Sequence, residues 1–166
     1  MEIELMSKSR LTRTIERIAY QILEMSHGSN IVLIGLNQRG YCIASQIQSI
    51  IEKSEGKSSC SLLQYRIDEE PEAVPGMPET YQGNNLATFL VDDVIFSGKT
   101  MFKAIKNLHN LEEKSAVYTA VLIDRGHRKV PVHASVSGIK VPTKLNEHVK
   151  LEFEGMEPEK AILITN

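Results

Sequence analysis

The stretch Phe89-Leu90-Val91-Asp92-Asp93-Val94-Ile95-Phe96-Ser97-Gly98-Lys99-Thr100-Met101 decides the fold. Its first three residues continue an apolar run from Leu86 and Ala87 that reads as a buried strand. Two adjacent carboxylates interrupt the run, and the small-residue turn Ser97-Gly98-Lys99-Thr100 follows. Beyond the turn, Met101, Ile105, Leu108 and Leu111 keep a helical spacing. The order is strand, acidic pair, glycine turn, helix. In an open parallel sheet such turns lie at the carboxyl ends of strands, where ligands bind.

The turn has the makings of an anion site. Gly98 lets the backbone approach a ligand, and the first N–H groups of the helix have no partners within it. With the positive end of the helix dipole they favour a phosphate, and Ser97 and Thr100 add hydroxyl donors. Asp92 and Asp93 are then expected to face away from that phosphate, toward sugar hydroxyls or a hydrated metal ion. A phosphate beside a diol is a ribose 5-phosphate. The spacing does not fit the P-loop, which needs four residues between its first glycine and Gly-Lys-Ser/Thr. The alternative reading is an ordinary strand-to-helix turn with a solvated acidic pair.

Val91-Asp92-Asp93-Val94-Ile95-Phe96-Ser97-Gly98-Lys99-Thr100 resembles the phosphoribosyl-diphosphate (PRPP) binding motif of type I phosphoribosyltransferases. The resemblance implies an α/β fold: a central, mostly parallel sheet flanked by helices, with a small hood from the C-terminal segment. It covers almost the whole chain.

Upstream, Asn30-Ile31-Val32-Leu33-Ile34-Gly35-Leu36 is nearly continuous aliphatic sequence, which suits a central strand buried on both faces. It leads into the turn Asn37-Gln38-Arg39-Gly40, and a helix with Ile43, Ile47, Ile50 and Ile51 follows. A guanidinium beside a glycine is a second anion candidate. It complements the first, because PRPP carries both a 5-phosphate and a pyrophosphate. An earlier helix over 9–25 aligns Leu11, Ile15, Ile18 and Ile22 on one face and Arg10, Arg13 and Arg17 on another. The basic stripe is read as a solvated face or as a contact with a polyanion.

Residues 58–65 read as a short strand followed by Arg66. From 67 to 85 apolar periodicity is lost among Pro71, Pro75, Pro78, Gly76, Gly83 and five acidic residues. Such a segment is read as a lid over an oxocarbenium-like sugar or as an insertion without a role. A strand over 116–123 ends in Asp124-Arg125-Gly126-His127-Arg128-Lys129-Val130-Pro131, a basic cluster on the ligand side. His127 has no Cys or His at ligand spacing, which argues against zinc. Residues 135–143 read as an extended Gly- and Pro-marked loop, and 149–153 and 161–165 as short terminal strands.

Asp124-Arg125-Gly126-His127-Arg128 and Gly138-Ile139-Lys140-Val141-Pro142-Thr143 resemble segments of the pyrimidine-operon attenuation regulators, a branch that combines uracil phosphoribosyltransferase activity with binding to leader messenger RNA. The resemblance implies pyrophosphate release from PRPP by a nucleobase, uracil first, and a homodimer. Asp92, Asp93 and Arg39 would be catalytic, with Asp92 and Asp93 also holding magnesium. Gln38, Gly40, Val94, Ile95, Phe96, Ser97, Gly98, Lys99, Thr100 and Val141 would bind substrate. Phe96 stands where purine-salvage relatives commonly carry an Asp, and it can neither accept nor donate a proton, which favours uracil.

There are departures. Ser97 and Lys99 replace Thr and Arg, which keeps a hydroxyl and a cation. Glu16 and Tyr20 replace Thr and His, Ile139 replaces a usual Lys, and the acidic loop lacks basic residues. Two other readings follow. One is an RNA-binding regulator that uses the PRPP site as a nucleotide sensor, with Arg13, Arg17, Arg125 and Arg128 in support. The other is a non-catalytic nucleotide-binding module.

The 166 residues are expected to form one domain over 1–166 with a substantial core. A net charge of -2 gives no global bias toward nucleic acid or acidic membranes, so anion binding must be local. Cys42 and Cys60 form no Cys-x-x-Cys pair, no secretory signal is visible, and no apolar run is long enough to span a bilayer. A cytoplasmic protein with reduced thiols is the expectation.

Overall fold

A computed structural model describes residues 1–56, 60–69, 85–108 and 116–165. Five parallel strands run in the order β3-β2-β4-β5-β6, comprising β2 (Asn30–Leu36), β3 (Cys60–Tyr65), β4 (Leu86–Ile95), β5 (Ala116–Asp124) and β6 (Val136–Lys140). The helices are α1 (Lys8–Ser26), α2 (Asn37–Glu55) and α3 (Lys99–Lys106).

Both faces of the sheet are buried, which is why β2 and β4 read as unbroken aliphatic runs. Ile31 and Leu33 of β2, with Ala87, Phe89 and Val91 of β4, face a core built by α1 and α2. Val32, Ile34 and Leu36, with Leu90, face the other way, toward Met101 and Ala104 of α3. The buried stripe therefore runs through Met101 and Ala104 of α3 and on to Leu108 just beyond it, and Ile105 is exposed rather than buried. The small Ala104 carries the packing there.

The second sheet is antiparallel, in the order β1-β8-β7, with β7 (Glu147–Glu154) and β8 (Glu157–Thr165) as its hairpin. The hood comes from the C-terminal segment, with one addition: the N-terminal strand β1 (Glu2–Met6) pairs with β8. Strand β8 packs on α1 and α2, and Met6, Leu151 and Ala161 join the same core as Ile15 and Ile43.

Two expectations on local structure are corrected. Residues 136–140 are a strand of the parallel sheet, not a loop. Gly138 permits this, because a Cβ there would lie 2.3 Å from the Leu122 carbonyl oxygen and 2.7 Å from Thr14 Cγ2. Arg39 and Gly40 do not form a turn before α2 but lie in its first turn, the corner being made one residue into the helix by Asn37 at φ 54. Most of the acidic stretch (70–84), the start of the strand expected at 58, and Leu111 lie outside the described residues.

Candidate active site

Strand order fixes where a site can form. From β2 the chain passes through α2 to β3 on one side, whereas from β4 it passes through α3 to β5 on the other. The neighbouring strands β2 and β4 thus lead in opposite directions, and the crevice beyond their carboxyl ends is a topological switch point. Both predicted anion loops open onto it.

At the end of β4, Gly98 adopts a left-handed φ of 79 and caps α3. The Phe102 N–H bonds the Gly98 carbonyl at 2.9 Å, while Thr100 and Met101 precede the first such bond and present first-turn donors. The Lys99 N–H donates to Ser97 Oγ at 3.3 Å, leaving the Ser97 hydroxyl proton available. A hollow of about 120 Å³ opens here, with Ser97, Gly98, Lys99 and Thr100 among its lining residues. The turn is braced from behind. The Lys129 N–H donates to the Ser97 carbonyl and Arg128 Nη1 to the Phe96 carbonyl, both at 2.9 Å. A Cβ on Gly98 would lie 3.2 Å from Val130 Cγ2, so that brace, besides the positive φ, restricts the position to glycine.

The acidic pair divides between two settings. Asp93 is 9% exposed, accepts the Val94 N–H at 2.8 Å through Oδ1, and turns Oδ2 to Arg39 Nη1 at 3.5 Å. Asp92 accepts the Asp93 N–H at 2.9 Å and lines the hollow at Ser97–Thr100. That corrects the expectation that neither carboxylate faces the phosphate side. Successive strand residues project to opposite faces, so one of an adjacent pair must point that way. Burial, and then the neighbouring Asp93 charge, hold the Asp92 carboxyl well above its ordinary pKa, with Asp68 adding to the effect. Two carboxylates this close hold their charges less readily than separate ones, and a cation between them would relieve the pair.

At the end of β2, three carboxamides fix the start of α2. Gln64 Nε2 donates to the Asn37 carbonyl at 3.2 Å and to Gln38 Oε1 at 3.3 Å, and Asn37 Oδ1 accepts the Asp68 N–H at 3.3 Å. Gln38 Nε2 lies 3.6 Å from Cys42 Sγ. A second hollow of about 290 Å³ is lined by Asn37, Gln38, Gln64, Arg66, Asp68 and Glu69. Gln64 and Asp68 escaped the sequence reading; only the tolerance of Asn for left-handed backbone marked the corner. Gly40 serves packing as well as ligand approach, since a Cβ there would lie 2.4 Å from the Val91 carbonyl oxygen.

Val94, Ile95 and Phe96 line the same hollow, and Val94 and Ile95 also pack, Val94 against one core and Ile95 within the other. The Val141 N–H is committed to the Asp124 carbonyl at 2.8 Å, so a base could meet Val141 only at its carbonyl or side chain. Within the basic cluster after β5, Arg125 and Arg128 are bonded inward, while His127 and Lys129 are exposed. Arg128 Nη2 pairs with Asp124 at 2.9 Å, and Arg125 is 7% exposed with its guanidinium 4.3 Å from the centre of the Phe96 ring. On α1, Arg17 reaches the carbonyl oxygens of Ser137 and Gly138.

Among the described residues no group of three or more His, Cys, Asp or Glu could hold a metal. The donor set still fits magnesium, which binds one or two carboxylates together with substrate phosphates and waters, and an acidic pair with one carboxyl pushed up in pKa is a pair that a cation would relieve. No helix among the described residues is long and apolar enough to cross a membrane.

Comparison with known proteins agrees with this geometry. The Phosphoribosyl transferase domain family is matched over residues 4–153. The bifunctional protein PyrR of Caldicellulosiruptor bescii is 35% identical, covering 97% of this chain and 93% of its own. That of Pediococcus pentosaceus is 31% identical over 100% of both chains. Among solved structures, the hypoxanthine phosphoribosyltransferase of Trypanosoma cruzi in complex with the product IMP has a TM-score of 0.67 at 14% identity, covering 84% of this chain and 76% of its own. A hypoxanthine-guanine phosphoribosyltransferase of Bacillus anthracis has a TM-score of 0.63 at 19% identity, with 84% of each chain covered. Those two share the fold. The chain belongs to the phosphoribosyl transferase domain family.

Proposed function

We propose that this protein transfers the ribose 5-phosphate of PRPP to a nucleobase, uracil first, and releases pyrophosphate. The contact that carries the reading is Arg39 Nη1 to Asp93 Oδ2 at 3.5 Å, which joins the leaving-group loop to the sugar site. Ser97, Gly98, Lys99 and Thr100 take the 5-phosphate, Asp93 the ribose hydroxyls, and Arg39, Gln38 and Gly40 the pyrophosphate. The C1–O bond to pyrophosphate breaks with its electron pair leaving on the pyrophosphate oxygen, a C1–N bond to the base forms, and the base nitrogen gives up its proton to solvent or to the departing pyrophosphate. Positive charge gathers on the ribose in between, so the chain acts by positioning and by placing carboxylates beside that charge. Magnesium, held by Asp92 and Asp93, would neutralise the leaving pyrophosphate.

Uracil is preferred over purines because Phe96 offers no proton to a purine ring. The PyrR relatives support the pyrimidine assignment by name only. Of the arginines offered for RNA binding, Arg125 and Arg128 are bonded within the fold, which leaves only Arg13 and Arg17, exposed on α1, to support that reading. One domain working as a homodimer in the cytoplasm completes the proposal. The deciding experiment incubates the protein with PRPP, magnesium and a panel of nucleobases and reads pyrophosphate. Release is expected with uracil; none with any base would leave a nucleotide sensor or a non-catalytic module.

A further inference from the structure

We propose that Arg125 is a positioning residue for the nucleobase, which the resemblance seats against the 138–143 segment at Val141, holding that segment over the Ser97–Thr100 turn so that base affinity depends on it and PRPP affinity does not. The inference rests on the function proposed above and deepens it.

Arg125 stands where three strand ends converge. Its N–H donates to the Ile95 carbonyl at 2.9 Å, one step beyond the β4–β5 ladder and next to Phe96. Its guanidinium lies 4.3 Å from the centre of the Phe96 ring, immediately before the phosphate turn. From there Nε donates to Thr143 Oγ1 at 3.1 Å and Nη2 donates to the Glu147 carbonyl at the start of β7. One side chain thus spans from the phosphate turn to the segment above it and on to the hood. Two further bonds hold the same segment: the Val141 N–H to the Asp124 carbonyl, and His127 Nε2 to the Thr143 carbonyl.

The chemistry explains why an arginine stands here. A planar guanidinium can stack on a ring while donating in two directions in its own plane, which an ammonium cannot do. Arg125 makes no ion pair among the described residues despite being 7% exposed. Its one acting carboxylate, Glu147, makes no direct ion pair with it; a buried cation held this way is a poor source of stability, and an apolar residue would fill the space at less cost. What the arginine provides is fixed geometry between Phe96 and Thr143. It also covers one face of Phe96, so that face is closed to a stacked base.

The test compares wild type with Arg125→Lys and Thr143→Val. Steady-state kinetics give KM for uracil at saturating PRPP, calorimetry gives PRPP affinity with magnesium, and melting reports folding. Losing a hydrogen bond from a charged donor is worth about tenfold or more. Arg125→Lys is therefore expected to raise the uracil KM by about that factor, with PRPP affinity within about twofold. Thr143→Val, which keeps the guanidinium but removes its acceptor, is expected to move the same constant and stands in if Arg125→Lys does not fold. An unchanged uracil KM in the variant measured, or a parallel loss of PRPP affinity, overturns the assignment. A wild-type protein that releases no pyrophosphate with any base overturns the proposed function first and this assignment with it.

Discussion

Gly40, in the first turn of α2, approaches β4 so closely that a Cβ would lie 2.4 Å from the carbonyl oxygen of Val91. The residue after Val91 begins the acidic pair, and the residue before Gly40 is Arg39. The close approach is therefore what lets Arg39 reach Asp93 at 3.5 Å. Gly40→Ala must push helix from strand, because the obstructing atom is backbone and has nowhere to turn. Overpacking of this kind costs about 1–3 kcal/mol, and the variant is expected to lose both stability and PRPP binding. Gly28→Ala is the control: φ is 77 but nothing lies within 4 Å of its Cβ, so a loss of about 1 kcal/mol with PRPP binding intact is expected. Denaturant midpoints and calorimetry on both variants check this; equal PRPP binding in Gly40→Ala and wild type refutes it.

The parts of this arrangement that were legible in sequence are those with a short repeat or a local rule. The aliphatic runs of β2 and β4, the stripe on α1 and the glycine turn at Gly98 each announce themselves within a few residues. Strand β1 was missed although Glu2-Ile3-Glu4-Leu5 alternates, because a strand this short at a terminus is decided by its distant partner β8. Ile105 was misplaced because helical spacing alone cannot choose between two adjoining faces. Arg125 and Arg128 looked like ligand-facing cations. Their roles depend on Phe96, Thr143 and Asp124, and of these only Asp124 is close in sequence.

Asp92 should give the protein a pH-dependent stability that magnesium suppresses. Its pKa is raised in the fold by burial and by Asp93. Between the ordinary carboxylate value and the raised one, the folded state holds a proton that the unfolded state has lost. Stability from this group therefore falls as pH rises through that window. Asp92→Asn removes the contribution, so its advantage over wild type in magnesium-free buffer should grow with rising pH and shrink when magnesium is added. Melting curves across the acid-to-neutral range test it; a difference that stays flat with pH would contradict the assignment of the raised pKa to Asp92.

Asp93→Asn addresses the chemistry rather than the stability. The substitution keeps the side-chain oxygen that accepts the Val94 N–H but removes the charge facing Arg39. Loss of one preorganised polar group lowers turnover by about 10²–10³, and that loss is expected here with little change in melting temperature. A variant that retained full phosphoribosyl transfer would remove Asp93 from the site.

The two cysteines should be silent to thiol reagents in the native protein. Both are buried, and burial, helped by the charge of Glu52, leaves the Cys60 thiol pushed up to about 12. The thiolate is the reactive form, so little of it exists at neutral pH. Ellman's reagent is expected to find no fast thiol until denaturant is added, and then two. A fast thiol in the native state, mapped to Cys60 by mass spectrometry, would contradict the burial.

Arg128 provides the sharpest separation between structure and nucleic-acid binding. Its Nη2 pairs with Asp124 at 2.9 Å, Nε donates to the Val132 carbonyl at 2.8 Å, and Nη1 donates to the Phe96 carbonyl at 2.9 Å. The pair is largely buried, with 17% and 14% side-chain exposure, so truncation leaves a carboxylate and three carbonyls, those of Phe96, Gly126 and Val132, short of a partner. Arg128→Ala is expected to cost about 2–4 kcal/mol and to loosen the phosphate turn through Phe96. A phosphate-contacting arginine behaves otherwise: its removal leaves stability near wild type and reduces the salt dependence of RNA binding by about one unit of slope. Chemical unfolding alongside salt titration of a structured RNA separates the two. A stable Arg128→Ala protein with a shallower salt slope would place this side chain at an RNA surface instead of behind the phosphate turn.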